Sequence, residues 1–139
     1  SFVVNKYSFQ NTGEVKLDTT TNLAYDLVAN EYVMAGPQAD TADIEVVLNP
    51  LTSVGFESNH NATFDATTQA VYDNNDIHEV MAEYDSGAAV SSVADVDVGD
   101  YFIYHTTRDG DEYYGLIKIT EVILTPSGEG DYLMFEYKN

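Results

Sequence analysis

Three histidines, 24 acidic residues and 11 tyrosines are the side chains from which chemistry could be built in this 139-residue sequence. Cysteine and tryptophan are absent. Without cysteine there is no thiol nucleophile, no disulfide scaffold and no Cys-ligated zinc or iron–sulfur site. His78-Glu79-Val80-Met81-Ala82 starts like a zinc-protease helix. That chemistry needs a second imidazole one turn further along, and the position holds Ala82. Gly55-Phe56-Glu57-Ser58-Asn59 has the wrong spacing for a nucleophile elbow, and no phosphate-cradling glycine loop occurs. A glycosidase needs only two carboxylates at the right separation. Twenty-four acids offer many pairs, and sequence alone does not say which converge.

The densest acids are Asp95-Val96-Asp97-Val98-Gly99-Asp100 and Asp109-Gly110-Asp111-Glu112. An EF-hand loop wants oxygen ligands at positions 1, 3 and 5, glycine at 6 and glutamate at 12. Counted from Asp95, glycine falls at position 5; counted from Asp109, Tyr113 does; counted from Asp73, Ile77 does. All three fail. What remains is a calcium site assembled from separate loops, for which Asp95, Asp97, Asp100 and Asp109 are the candidates. Water-solvated turn acids are the simpler reading.

His60 lies in a polar loop whose Asn61-Ala62-Thr63 matches a glycosylation sequon. His105 is the more informative histidine. If Asp109-Gly110 forms a two-residue hairpin turn, Arg108 faces Asp111 and His105 faces Tyr114. His105 then shares a face with Tyr101, Ile103 and Leu116. His105, Tyr101 and Tyr114 are thus the candidate ligand-binding residues, with ligation of haem as the sharpest version and a hydrogen-bonded core-edge histidine as the plainer one. Tyr25, Tyr32, Tyr72, Tyr84, Tyr113 and Tyr114 could add rigid amphipathic contact surface.

The elements that must position these residues are mostly strands. Tyr101–Thr107, Glu112–Leu124 and Tyr132–Tyr137 predict a three-stranded antiparallel meander, its turns at Asp109-Gly110 and at residues 126–130. Both faces of its first hairpin are apolar, which predicts cover on both sides or closure into a barrel. Phe2-Val3-Val4, Tyr7-Ser8-Phe9, Ile44–Leu48 and Ser53–Glu57 read as further strands, with turn-rich segments between them. One short helix is predicted at about 76–85. Asp76 caps it with Glu79 in a capping box, Ile77, Val80, Met81 and Tyr84 form its buried stripe, and Gly87 ends it in a left-handed cap. The expected fold is mainly β, an antiparallel sandwich or barrel, as a single domain over residues 1–139.

The formal net charge is −19 with only five basic residues, scattered as Lys6, Lys16, Arg108, Lys118 and Lys138. Binding to nucleic-acid phosphate needs clustered bases and is excluded. Apolar residues make up 44% of the chain, and Tyr and Phe together number 17, which separates it from an acidic disordered tail. An anionic surface favours a soluble monomer and suits a salty medium. No run reaches the roughly 18 apolar residues of a membrane helix. The chain begins at Ser1 without an initiator Met, as a form matured by signal removal or a trimmed piece would.

Two stretches carry a resemblance. One is Ala42-Asp43-Ile44-Glu45-Val46-Val47, followed by Gly55-Phe56-Glu57-Ser58. The other is Val98-Gly99-Asp100-Tyr101-Phe102-Ile103-Tyr104, then the segment from Asp109 to Ile119 and Gly130-Asp131-Tyr132-Leu133-Met134-Phe135-Glu136-Tyr137-Lys138. Together they resemble the C-terminal part of small secreted or cell-surface lipoproteins of Bacteroidetes, and more distantly the haem-scavenging HmuY-like family. The resemblance implies a β-rich, extracytoplasmic domain. It carries no haem-ligand motif onto His60, His78 or His105. The expected function is therefore a non-enzymatic binding or surface-display domain for a small molecule, glycan or surface protein, with no required cofactor. A haem or small-ligand carrier and a carbohydrate-active module are the alternatives.

Overall fold

The computed structural model describes residues 7–37, 40–49, 53–126 and 130–139. Ten strands and two short helices follow one another: β1 (Thr12–Asp18), β2 (Leu23–Asp26), β3 (Glu31–Met34), β4 (Glu45–Asn49), β5 (Ser53–Glu57), β6 (Thr63–Thr67), α1 (Gln69–Asn74), α2 (Ile77–Glu83), β7 (Ser92–Val93), β8 (Tyr101–Arg108), β9 (Asp111–Ile123) and β10 (Tyr132–Lys138). The fold is mainly β with antiparallel sheets, as expected, and no barrel closes among the described residues. A five-stranded sheet in the order β1-β10-β9-β8-β6 is the centre. The β2–β3 hairpin and the β4-β5-β7 sheet cover one face, and the helices cover the other.

The meander forms in the register its turn dictates. Asp109 and Gly110 both take positive φ, 54° and 85°, which a two-residue turn with the native strand twist requires. Arg108 pairs with Asp111 and His105 with Tyr114. Alternation then splits the sheet into two cores. Phe102, Tyr104, Ile117, Ile119, Leu133, Phe135 and Tyr137 point toward the β2–β5 side. Tyr101, Ile103, Tyr114 and Leu116 point toward the helices, where Phe9, Val71, Tyr72 and Val80 meet them. A bulge at Thr120 sets Met134 opposite Glu121 and Phe135 opposite Ile119, so Ile119 and Val122 both face the larger core. At Gly115 a Cβ would run into the Tyr104 ring, which lies across this residue from the paired position on β8.

Several expectations change. There are two helices. Thr68 caps α1 by accepting from Val71 N–H, and Asn75 ends it at φ 49°. Asp76 does cap α2, but by accepting from His78 N–H at 3.0 Å, while the Glu79 carboxylate takes Asn74 Nδ2 at 3.1 Å; no capping box forms. Tyr84 in extended conformation ends α2, and the Gly87 N–H instead goes to Asp85 Oδ1. Val80 is buried as foreseen, whereas Met81 is 49% exposed. Tyr7-Ser8-Phe9 joins no sheet of the described residues. Asn75 Oδ1 accepts from Phe9 N–H, Asn75 Nδ2 donates to Phe9 O, and Ile77 N–H donates to Tyr7 O, which together replace a strand partner. The strands β1, β2, β3, β6 and β7 were not foreseen. Phe2-Val3-Val4 and the centre of the 126–130 turn lie outside the described residues.

Candidate functional site

Strand β9 is longer than its neighbour β10. Pairing between them stops at Leu116–Lys138, while β9 runs back to Asp111. Residues 111–115 are therefore paired on the β8 side only. Ile119 N–H donates to Asp100 O on that side, so odd-numbered residues of this part of β9 aim their main chain at β8. By alternation, the main-chain N–H and C=O of Glu112 and Tyr114 point the other way, past the end of β10. No described residue hydrogen-bonds them.

A cleft of about 510 Å³ opens along this edge. Leu27, Val28 and Tyr104 line it from one face of the sheet, and Phe9, Ile77 and Met81 from the other. Glu112, Tyr113 and Tyr114 form the β9 side, and Asn11 and Asn139 close the end where β10 stops. That size matches small-molecule sites, and the lining has the usual character of an apolar surface with a few polar groups. Among the described residues that line it, Glu112 alone has a charged side chain.

The floor is tied down by hydrogen bonds. Asn11 and Asn139 exchange main-chain bonds at 3.0 Å, one rung beyond the Thr12–Lys138 pair of β1 and β10. Asn139 Nδ2 reaches Leu27 O (2.6 Å), Asn30 Oδ1 (2.8 Å) and Tyr104 Oη (2.8 Å), and Tyr104 O–H donates to Leu27 O. Burial pushes the Tyr104 phenol far up, so it stays protonated. The Leu27–Val28 wall is held by a charge cluster. Arg108 Nη1 binds Asp26 at 3.2 Å and Nη2 binds Asp43 at 2.9 Å, both carboxylates being buried. Asp26 Oδ1 accepts from the N–H groups of Val28 and Ala29, and Asp43 Oδ2 from Leu27 N–H. Burial raises the Asp43 carboxyl, although Leu27 N–H and Arg108 pull it down.

The candidate residues read from the sequence separate here. Tyr114 lines the cleft. Burial and the neighbouring Glu112 raise its phenol, which remains a hydrogen-bond donor at neutral pH. His105 stands behind it: its ring lies 4.7 Å from Tyr114 and 5.2 Å from Tyr84, and Nε2 is 3.2 Å from Glu112 Oε1. It is not among the residues lining the cleft, and its partners are those of a hydrogen-bonded core-edge histidine. Tyr101 packs on Tyr72 at 5.4 Å, in the helix-side core. His78 is exposed and stacks on Tyr7 at 4.7 Å.

The calcium candidates do not converge. Asp97 N–H donates to Asp100 Oδ2 in a turn just before β8, whereas Asp109 sits at the opposite end of that strand. Eight strand residues separate them by roughly 25 Å, at ~3.3 Å per residue. Among the described residues no group of three His, Asp or Glu side chains is placed to hold a metal. Asp26 and Asp43 are both bound to Arg108, and neither lines the cleft. A second, more polar cleft of about 490 Å³ has Tyr72, Lys118, Glu136 and Lys138 among its walls. There Lys138 donates to Tyr72 O and lies 4.2 Å over the Tyr72 ring.

Phe9, Leu27, Val28, Tyr104, Met81 and Asn139 were not read as site residues. Met81 had a signal, since it is the outermost of the helical stripe. Asn139 had none, because its partners Leu27, Asn30 and Tyr104 lie far from it in the sequence. Set against family models, curated proteins and solved structures, the chain matches none.

Proposed function

We propose that this protein is a non-enzymatic binding or display domain that works outside the cytoplasm, and that it takes its ligand in the cleft beside β9. The observation that carries the reading is the cleft itself. Its floor is held by Tyr104 and Asn139, its walls are apolar on both faces of the sheet, and Tyr113 and half-exposed Met81 stand among its lining residues. A rigid apolar site with few polar groups is built for binding. The net charge of −19 and the Glu112 carboxylate turn away anionic ligands and admit neutral or cationic ones. The resemblance to small surface lipoproteins of Bacteroidetes supports the extracytoplasmic setting, and the anionic surface fits it.

The test is a thermal-shift panel of neutral oligosaccharides, short peptides and organic cations and anions, run on the native protein and on Met81→Trp. Tryptophan at this exposed helix position fills the cleft without touching a core. The expected result is that at least one neutral or cationic class raises the Tm of the native protein and leaves Met81→Trp flat. A ligand at 100 times its Kd adds about 2.7 kcal/mol. Stabilisation only by anions, equal stabilisation of both proteins, or no shift at all would overturn the reading.

A further inference from the structure

Strand register gathers the charges of the second, polar cleft. Glu14 pairs with Glu136, and Glu136 pairs with Lys118, so three charged residues stand in one row across β1, β10 and β9. Lys118 has the parity of Tyr114 and Leu116, which places the row on the face that the helices cover. Lys138 follows Glu136 by two residues and shares that face, and α1 adds Tyr72 and Asp73 to the walls. We propose that this cleft, of about 490 Å³, binds a free α-amino acid as its zwitterion, the ammonium seated between Glu14 and Glu136 and the carboxylate on Lys118.

Both signs of charge are needed to satisfy the row. Glu14 and Glu136 are like charges directly opposite each other on paired strands, an arrangement that costs stability. An ammonium between them turns that repulsion into attraction. Bases are scarce in this chain, five against 24 acids, and Lys118 and Lys138 both line this one cleft. A surface that elsewhere repels anionic groups here offers them a partner. A ligand with a single charge satisfies one end of the row, and a zwitterion satisfies both. A metal ion would meet the Lys118 ammonium, and among the described residues no group of three His, Asp or Glu side chains is placed to hold one.

Tyr72 holds two of these groups in place. It is 5% exposed and packs on Tyr101 at 5.4 Å. Its phenol donates to Glu136, and burial together with that carboxylate pushes the phenol up, so it remains a donor. Its carbonyl accepts from Lys138 Nζ at 2.8 Å, and the same ammonium lies 4.2 Å over its ring. Side chains fixed before the ligand arrives lose little freedom on binding. The described linings of this cleft and of the one beside β9 share no residue, so the two sites stand or fall separately.

The experiment titrates the isotope-labelled native protein with each standard amino acid and follows amide chemical shifts. The tightest binder is then compared with its N-acetyl and C-amide forms, each of which lacks one of the two charges. The expected result is saturable shifts at the Glu14, Lys118 and Lys138 amides, with affinity at least tenfold lower for either blocked form. Lys118→Gln should weaken the free amino acid at least tenfold and leave the C-amide form unchanged. Glu14→Gln, at an exposed position, should weaken the free amino acid and leave the N-acetyl form unchanged. Met81→Trp, in the other cleft, should change nothing.

No amino acid shifting those three amides would overturn the proposal. Equal affinity for the N-acetyl or the C-amide form would overturn the zwitterion assignment, because the cleft then does not read that charge. Shifts centred on the cleft beside β9 and lost in Met81→Trp would overturn the proposal while supporting that other cleft as a site. Because the blocked forms alter the ligand, these outcomes do not depend on how any variant folds.

Discussion

Replacing Arg108 with leucine should cost the native state heavily at neutral pH and much less in acid. Arg108 is the chain's one arginine and faces Asp26 and Asp43, which are 2% and 1% exposed. Removing one partner of a buried ion pair typically costs about 3–5 kcal/mol, because a buried charge is left unmatched. Protonation sets a ceiling on this cost. A carboxyl with an ordinary pKa near 3.9 can be kept neutral at pH 7 for about 4 kcal/mol, at about 1.4 kcal/mol per pH unit. The unfolded variant has both carboxyls ionised at pH 7, whereas the folded variant is driven to bind a proton. Where the folded state binds more protons, stability rises as pH falls. The loss should therefore be about 3–5 kcal/mol at pH 7, a drop of roughly 10–20 °C in Tm, and smaller by up to about 2.7 kcal/mol per proton taken up at pH 5. Urea melts of the native protein and Arg108→Leu at both pH values measure it. Adding Asp26→Asn and Asp43→Asn to Arg108→Leu should recover most of the loss, since neutral groups can still accept the N–H bonds of the 27–29 turn. A cost under about 1 kcal/mol at pH 7, or an equal cost at pH 5, would refute the buried-charge reasoning.

Gly115→Ala should destabilise by about 1–3 kcal/mol in a thermal melt, because the new methyl strikes the Tyr104 ring, which is itself anchored to Leu27 and Asn139. Asn75→Gly keeps the left-handed cap but loses both bonds to Phe9, so it should cost about 1–2 kcal/mol and expose the 7–11 segment to protease; Asn75→Ala should cost more, because φ 49° disfavours alanine. Tm should rise from low to molar NaCl at pH 7, since screening relaxes a net charge of −19; a flat profile would contradict it. Asp18 adds stability at neutral pH. Burial pushes its carboxyl up, but the N–H groups of Thr21 and Thr20 outweigh this and hold it low. Its contribution is present above the ordinary carboxylate range and lost as pH falls through the depressed value, so Asp18→Asn should cost most at neutral pH in paired melts at pH 7 and pH 3.

Where local chemistry decides structure, the sequence was readable. Asp109-Gly110 dictates a two-residue turn, the turn sets the register, and register alone put His105 opposite Tyr114 and on one face with Tyr101, Ile103 and Leu116. Asp76 marked the start of α2 for a similar reason. Reading failed where partners are distant. In Thr12–Asp18 only Val15 and Leu17 are fully buried, too short an alternation to stand out, and β1 exists because β10 lies beside it from Thr12–Lys138 to Asp18–Tyr132. Tyr7-Ser8-Phe9 has strand composition, but its main-chain partners are an asparagine side chain and a helix terminus. Met81 obeyed the helical period and still came out half-exposed, since the stripe is wider than the surface α2 covers.

The cleft shows how much of a site can hide in two strand lengths. In the structure β9 (Asp111–Ile123) is longer than β10 (Tyr132–Lys138), so part of β9 lies outside their pairing. Composition could not say which end would be left over, because that depends on the offset between the two strands. The structure puts the turn-proximal end of β9 beyond Lys138. The same geometry explains why the functional candidates scattered. His105 belongs to the face of the hairpin that the helices cover, while the open groups belong to its edge, and a side-chain alternation pattern reports on faces alone. Edges are read from hydrogen-bond parity, which here follows from one bond, Ile119 N–H to Asp100 O. That bond turns the main chain of Glu112 and Tyr114 away from β8, toward the side of β9 on which Lys138 pairs with Leu116.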